Sequence, residues 1–237
     1  MTNKGQKGEQ KVVAVIGAGR MGAIVGKQLP EMVSKIVIDH NGEKAKSLAF
    51  DIGGLPFENL EATQKADVIA VVLPKPAIES TMLELAKIAK DDAIILNMAT
   101  SATVNPEIVT QNPRLHFVEA KIIGHATSMG QGSPCYVVLN TSNETILETV
   151  QEVLPGFAKV LKGNVELVPL INSIGSKEGI RAAIEVRKQL HQYQIPKEWE
   201  DIVIYTVCAG TMRSYVKNDL GHFAQKIADE LEKNRNV

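Results

Sequence analysis

Cysteine is scarce in this 237-residue sequence: Cys135 and Cys208 are its two, far apart and in no CxxC or Cys/His cluster. That spacing argues against a disulfide framework and a cysteine-based zinc site, and reads as two reduced thiols packed like small hydrophobes. No other metal-ligand pattern stands out, so no metal is expected. An excess of either charge is lacking too, because 26 Lys plus Arg face 27 Asp plus Glu. Without a basic patch there is no electrostatic footprint for nucleic acid or for an anionic membrane, and neither is expected as a partner. No run approaches the roughly 18 apolar residues of a membrane span. Residues 1–10 are polar and hold no apolar signal core, so they read as the disordered tail of a cytoplasmic protein. Internal repeats and low-complexity linkers are absent.

What is present is ordinary globular material, with 44% apolar and 22% charged residues, enough for a buried core and against wholesale disorder. From Lys11 onward, short apolar runs alternate with helix-like segments, the mark of a parallel sheet covered by helices. Strands are expected at 12–16, 35–39, 67–73, 93–97, 116–122, 136–139 and 158–161. Helices are expected at 21–29, 43–50, 78–89 and 144–154. After Gly163 the strand-like runs stop and helical periodicity takes over. The expected fold is therefore α/β: a Rossmann-type parallel-sheet domain over 11–163, then a small all-helical C-terminal domain over 164–237. Within the tail, 173–192 reads as a long helix broken at Ile195-Pro196. The segment 200–216 is apolar on nearly every side and so must be buried between other elements. A tail of this size buries too little surface by itself, which predicts packing against a second subunit as a homodimer.

The loop Gly17-Ala18-Gly19-Arg20-Met21-Gly22 follows an apolar strand and opens a helix, the context a dinucleotide-binding fingerprint requires. Gly17 permits the tight turn, Gly19 lets the backbone approach a pyrophosphate, and Gly22 allows close packing of helix on strand. The helix N-terminus offers its N–H groups to the anion. Asp39 closes the second strand, where a carboxylate can accept bonds from the adenosine ribose hydroxyls. It favours NAD over NADP, although His40, Asn41 and Lys44 nearby leave a 2′-phosphate possible. Leu73, Pro74 and Lys75 end the strand at 67–73 on the edge where ligands of open sheets bind, and suit either a cofactor contact or simple strand termination. The segment Asn97 to Ser101 has the same two readings.

Two further groups could carry chemistry. His125, in the glycine-rich segment from Gly124 to Gly132, could donate a proton or bind a carboxylate, or merely solvate a turn. Ser173, Ser176, Lys177, Glu178 and Arg181 crowd the start of the long helix, where an interdomain cleft would lie. A lysine in a dry cleft can act as acid or base, whereas arginine stays charged and binds or polarises. The spacing of Lys177, Arg181 and Glu185 suits a solvated ion-paired stripe equally well.

This arrangement resembles the superfamily that joins a Rossmann domain to an all-helical tail, including the pyrroline-5-carboxylate reductases and the β-hydroxyacid dehydrogenases. Gly17 to Gly22, Asp67 to Pro76, and Ser173-Ile174-Gly175-Ser176 resemble the reductases most. Phe117-Val118-Glu119-Ala120-Lys121, running into Gly124, is similar to the dehydrogenases' Asp-Ala-Pro-Val-Ser-Gly-Gly strand-loop, with Glu119 replacing the acid, Lys121 the proline, and His125 falling in the glycine pair. The resemblance implies an NAD(P)-dependent oxidoreductase that moves a hydride to or from a small anionic substrate, a cyclic imine or a 3-hydroxy acid. It places the dehydrogenases' catalytic lysine at Lys177 or, in another register, at Arg181. Lys177 is then the expected acid, Arg181 the carboxylate binder and His125 the spare, with Ser173 beside them. The imperfect match keeps a second expectation open, a dinucleotide-binding sensor without turnover.

Overall fold

The computed structural model describes residues 10–235; the tail expected over 1–10 lies, except for Gln10, outside them. The chain divides into two compact units, Met1–Asn172 and Ser173–Val237.

The first unit is built on an eight-stranded sheet. Its strands are β1 (Val12–Ile16), β2 (Ser34–Ile38), β3 (Leu55–Phe57), β4 (Val68–Val71), β5 (Ile94–Asn97), β6 (His116–Ile123), β7 (Tyr136–Leu139) and β8 (Lys159–Lys162). They lie in the order β3-β2-β1-β4-β5-β6-β7-β8. The first six run parallel to their neighbours. β7 pairs with β6 antiparallel, and β8 follows β7 in parallel.

The interleaved helices are α1 (Arg20–Lys27), α2 (Gly42–Ile52), α3 (Lys75–Ile88), α4 (Pro106–Gln111), α5 (Ala126–Gly130) and α6 (Glu144–Val153). Because successive strand side chains point to opposite faces, β1 and its neighbours feed two separate cores. Val13, Val15, Val68, Ala70 and Leu96 pack with Val25 of α1 and Val150 of α6. Ala14, Ile16, Ile69, Val71 and Ile95 pack with Met82 and Leu85 of α3 and Ile108 of α4. Burial on both faces explains why these strands read as continuous apolar runs rather than alternating ones.

Four elements go beyond the sequence expectation: β3, the 3-10 turn Leu60–Lys65, α4 and α5. β3 is three residues long and contains Pro56, which an edge strand tolerates because one side of it carries no ladder. The expected boundary at Gly163 falls inside the first unit. The reason is α7 (Leu167–His191), which starts before the expected 173 and packs its first turns on the sheet. Val168 is buried beside Val138 and Val165, and Asn172 Nδ2 donates to the Ile122 carbonyl at 2.8 Å.

The second unit holds the rest of α7, then α8 (Lys197–Ile202), one wider π-type turn over Val203–Cys208, α9 (Ala209–Val216) and α10 (His222–Arg235). Glu200 of α8 is buried against Arg187 and His191 of α7. The expectation that 200–216 is buried is not met within one chain: Ile202, Tyr205, Val207 and Val216 are all exposed. The apolar character of that segment is real, but nothing among the described residues covers these four side chains.

Candidate dinucleotide site

The glycine loop joins β1 to α1 at the carboxyl edge of the parallel strands. Gly17 has φ +99°, and a β-carbon there would stand 2.4 Å from the Val72 carbonyl oxygen and 3.0 Å from Leu73 Cδ2. A β-carbon on Gly22 would stand 1.7 Å from the Gly17 oxygen. Both positions therefore exclude a side chain, the first by conformation and close approach, the second by close approach alone. Gly19 differs, because its added β-carbon would meet nothing within 4 Å. The open space there is what a ligand backing onto the loop requires. Gly19 also caps α1 with no side-chain hydrogen bond, and no acidic residue sits in the first turn. The first N–H groups and the positive end of the helix dipole are thus left for an anion. Arg20, the first helical residue, is exposed, while Met21 is half-buried and packs on the core, so that residue serves the fold as well as the loop.

Asp39 follows β2 beside the loop, and its carboxylate is not idle. Oδ2 accepts the Ala18 amide at 2.7 Å and Oδ1 the Asn41 amide at 2.8 Å. Nδ1 of the exposed His40 lies 3.3 Å from Oδ1. Asp39 thus fastens the glycine loop to the end of β2, and any ribose hydroxyl would share oxygens that already hold one donor each. Each carboxylate oxygen retains acceptor capacity for that. Leu73 lies against Gly17, and Pro74 caps α3 while Lys75 begins it, so this segment both ends β4 and starts a helix beside the loop. The residues present fit a dinucleotide's pyrophosphate and adenosine half.

His125 stands at the N-terminal boundary of α5 on the same edge, with Nδ1 3.3 Å from Ser128 Oγ. A β-carbon on Gly130 would lie 3.3 Å from Ile24 of α1, so the His125 segment packs beside the helix that opens the glycine loop. Ser173, Lys177 and Arg181 belong to the second unit and are exposed along α7. Arg181 pairs with Glu178 at 2.8 Å, and Gln189 donates to Glu185 at 3.0 Å. The ion pair thus forms at i, i+3 rather than along Lys177, Arg181 and Glu185. Among the described residues no group of three or more His, Cys, Asp or Glu side chains assembles as a metal site. No helix among them is long and apolar enough to cross a membrane.

Sequence reasoning missed the most heavily hydrogen-bonded polar group of the sheet. Lys121 and Glu119 of β6 are buried and paired at 2.7 Å. Lys121 Nζ also donates to the carbonyls of Asn97, Ala99 and Ala102 at 3.3, 2.5 and 2.7 Å. Glu119 accepts from Asn97 Nδ2 at 2.8 Å and from the Val104 amide at 2.7 Å. Burial pushes the Lys121 ammonium down from its usual range, with the hydrogen bond and charge of Glu119 opposing. The signal was two charges at alternate positions of an otherwise apolar strand, visible in the sequence only as a departure from a family pattern. Cys135 is buried and its thiol is raised by that burial, while Cys208 is half-buried.

Fold and loop together define a Rossmann-type α/β domain followed by a helical tail. Residues 12–100 match the family model described as NADP oxidoreductase, coenzyme F420-dependent. No curated protein matches the chain. Among solved structures, a pyrroline-5-carboxylate reductase from Coxiella burnetii is similar over 97% of this chain and 93% of its own, at 14% identity and a TM-score of 0.71. A 3-hydroxyisobutyrate dehydrogenase from Salmonella typhimurium shows 16% identity and a TM-score of 0.60, over 89% of this chain and 80% of its own. A semialdehyde dehydrogenase NAD-binding protein from Cupriavidus necator, in complex with calcium and NAD, shows 14% identity and a TM-score of 0.63, over 96% and 92%. These likenesses establish the fold.

Proposed function

We propose that the protein is a nicotinamide-dinucleotide-dependent oxidoreductase acting on a small anionic substrate, a cyclic imine or a 3-hydroxy acid, with NAD favoured over NADP. The observation that carries this reading is the glycine loop: Gly17 and Gly22 closed to any side chain, Gly19 open, and the α1 N-terminus uncapped. When bound, the dinucleotide supplies or accepts the hydride. The chain's own residues do the rest. The loop amides and α1 hold the pyrophosphate, and the Asp39 carboxylate meets the adenosine ribose and disfavours a 2′-phosphate by charge. Leu73, Pro74 and Lys75 flank the loop. Lys177 moves the proton, Arg181 holds the substrate's carboxylate, Ser173 offers a hydroxyl beside them, and His125 stands as a second proton donor. The exposed apolar side chains of the helical unit support a homodimer through those helices. Two free cysteines suit a cytoplasmic protein.

The test is a titration with NADH and NADPH followed by turnover with a panel of cyclic imines and of 3-hydroxy and keto acids. Tighter binding of NADH and loss of turnover in Lys177→Ala or Arg181→Ala are expected. Wild-type turnover in Lys177→Ala, Arg181→Ala, His125→Ala and Ser173→Ala alike would remove those assignments. Absence of saturable binding by either nucleotide would remove the reading altogether, and binding without turnover on the whole panel would make the protein a sensor instead.

A further inference from the structure

The Lys121 network sits beneath one specific stretch of chain, the loop 98–104 that follows β5. Three of the acceptors around its ammonium are carbonyls at the end of β5 and in this loop: Asn97, Ala99 and Ala102. Glu119 grips the far end through the Val104 amide, and Asn97 Oδ1 holds the Ala99 amide at 3.2 Å. Two buried charges are an expensive way to stabilise a sheet, since a well-packed apolar pair does as well or better. What the charges achieve that apolar residues could not is orientation of the loop's peptide groups.

Every peptide here is trans, so a carbonyl turned toward Nζ turns the next residue's N–H away from it. For Asn97 the outward amide is that of Met98, which donates to Val71 at 3.0 Å. For Ala99 and Ala102 the outward amides are those of Thr100 and Thr103, and neither finds an acceptor among the described residues. Thr103 lines, with Ser101, Lys75 and Glu79, a cavity of about 240 Å³ between the loop and the start of α3. The strand order places this loop relative to the dinucleotide: β2, carrying Asp39, lies on one side of β1, while β4 and then β5 lie on the other. With the pyrophosphate at the end of β1 and the adenosine half toward β2, the remaining half runs toward β5, two strand spacings or roughly 10 Å away.

We propose that Glu119 and Lys121 are positioning residues for the nicotinamide half of the dinucleotide: they draw the loop carbonyls inward and so present the Thr100 and Thr103 amides to acceptor atoms on that half. The proposal rests on the dinucleotide reading above. Neither side chain touches the ligand. Both act through the loop.

The experiment compares the reduced dinucleotide that binds more tightly with ADP-ribose, or its 2′-phosphate if that dinucleotide is NADPH, by calorimetry on wild type, Glu119→Gln and Lys121→Met. Both variants are expected to weaken the dinucleotide about tenfold, the affinity that roughly one hydrogen bond contributes, and to leave ADP-ribose binding unchanged. Equal losses for the two ligands, or no loss for the dinucleotide, would overturn the proposal. Failure of wild type to bind ADP-ribose would overturn the dinucleotide reading instead. Should neither variant fold, amide hydrogen exchange on wild type decides: Thr100 and Thr103 are expected to gain protection with the dinucleotide and not with ADP-ribose. The same exchange with both ligands would count against the proposal.

Discussion

Gly19 and Gly22 belong to one loop and answer to different constraints. A methyl group at Gly22 would have to share space with the Gly17 carbonyl, so Gly22→Ala is expected to destabilise the domain by about 1–3 kcal/mol or more, as overpacking does. Thermal unfolding reads this directly. At Gly19 the backbone is extended with φ −72°, and no heavy atom stands near the added carbon. Gly19→Ala should therefore keep the wild-type melting temperature and lose NADH affinity, because the methyl fills the space the ligand needs. Unchanged affinity in Gly19→Ala would mean that nothing docks on the loop. Asp39 gives a third contrast. Both of its oxygens accept main-chain amides, so an asparagine there must turn an N–H₂ toward one of them. Asp39→Asn is expected to cost about 1–3 kcal/mol in unfolding experiments, the penalty of a buried donor without its acceptor. It should also narrow the preference for NADH over NADPH, measured as the ratio of dissociation constants.

Among the elements, legibility in the sequence followed the range of the interactions that make each one. The glycine loop and Asp39 could be read because a strand, a turn and a helix start are consecutive and each leaves its residue type behind. α4 carried a start signal, Asn105 accepting the Glu107 amide with Pro106 in the first turn, but its few residues show no helical period. The Lys121 network could not be read, because its partners lie on another strand and the loop beyond it, and spacing along the chain says nothing of them. The ties between α7 and α8 were hidden for the same reason. Asp201 accepts from Lys197 on its own helix and from Arg187 of α7 at 2.6 Å. The hydrogen bond from Lys197 is the largest influence and holds the Asp201 carboxyl below the ordinary range; burial opposes it, and the hydrogen bond from Arg187 and the charges of both cations add to the lowering. A carboxyl lowered by folding adds stability above its unfolded value, and that stability is lost as the pH falls through the folded one. Acid titration followed by the helical signal at 222 nm should accordingly show a loss of helix in the carboxylate range. Asp201→Asn should flatten that step, and an identical acid transition in the variant would rule out this contact as its source.

For the whole molecule, the helical unit raises the question of what covers it. Its large apolar side chains stand exposed in a single chain: Trp199 and Tyr205 are 65% and 66% accessible, and Val216 and Phe223 are 80% and 82%. Thr211, Met212 and Tyr215 of α9 and Ile227 and Leu231 of α10 line an apolar groove of about 400 Å³. Surfaces of this kind mark association sites. Sedimentation equilibrium is expected to give twice the mass of one chain, and Ile227→Asp with Leu231→Asp to give a monomer that melts earlier. A wild-type monomer would defeat the homodimer and leave the apolar faces without an account.

The reversal of β7 and β8 governs the route of the polypeptide. Because Tyr136 pairs with Ile123 and Leu139 with Ala120, β7 starts at the ligand edge and descends, and β8 descends beside it. β8 ends at Lys162, level with Leu139 and Ala120, so the chain leaves it only partway down the sheet and has to climb again. The opening turns of α7 make that ascent, rising about 1.5 Å per residue until Asn172 reaches the carbonyl of Ile122. The two reversed strands work as a switchback: they widen the sheet without changing the rim from which the chain finally departs.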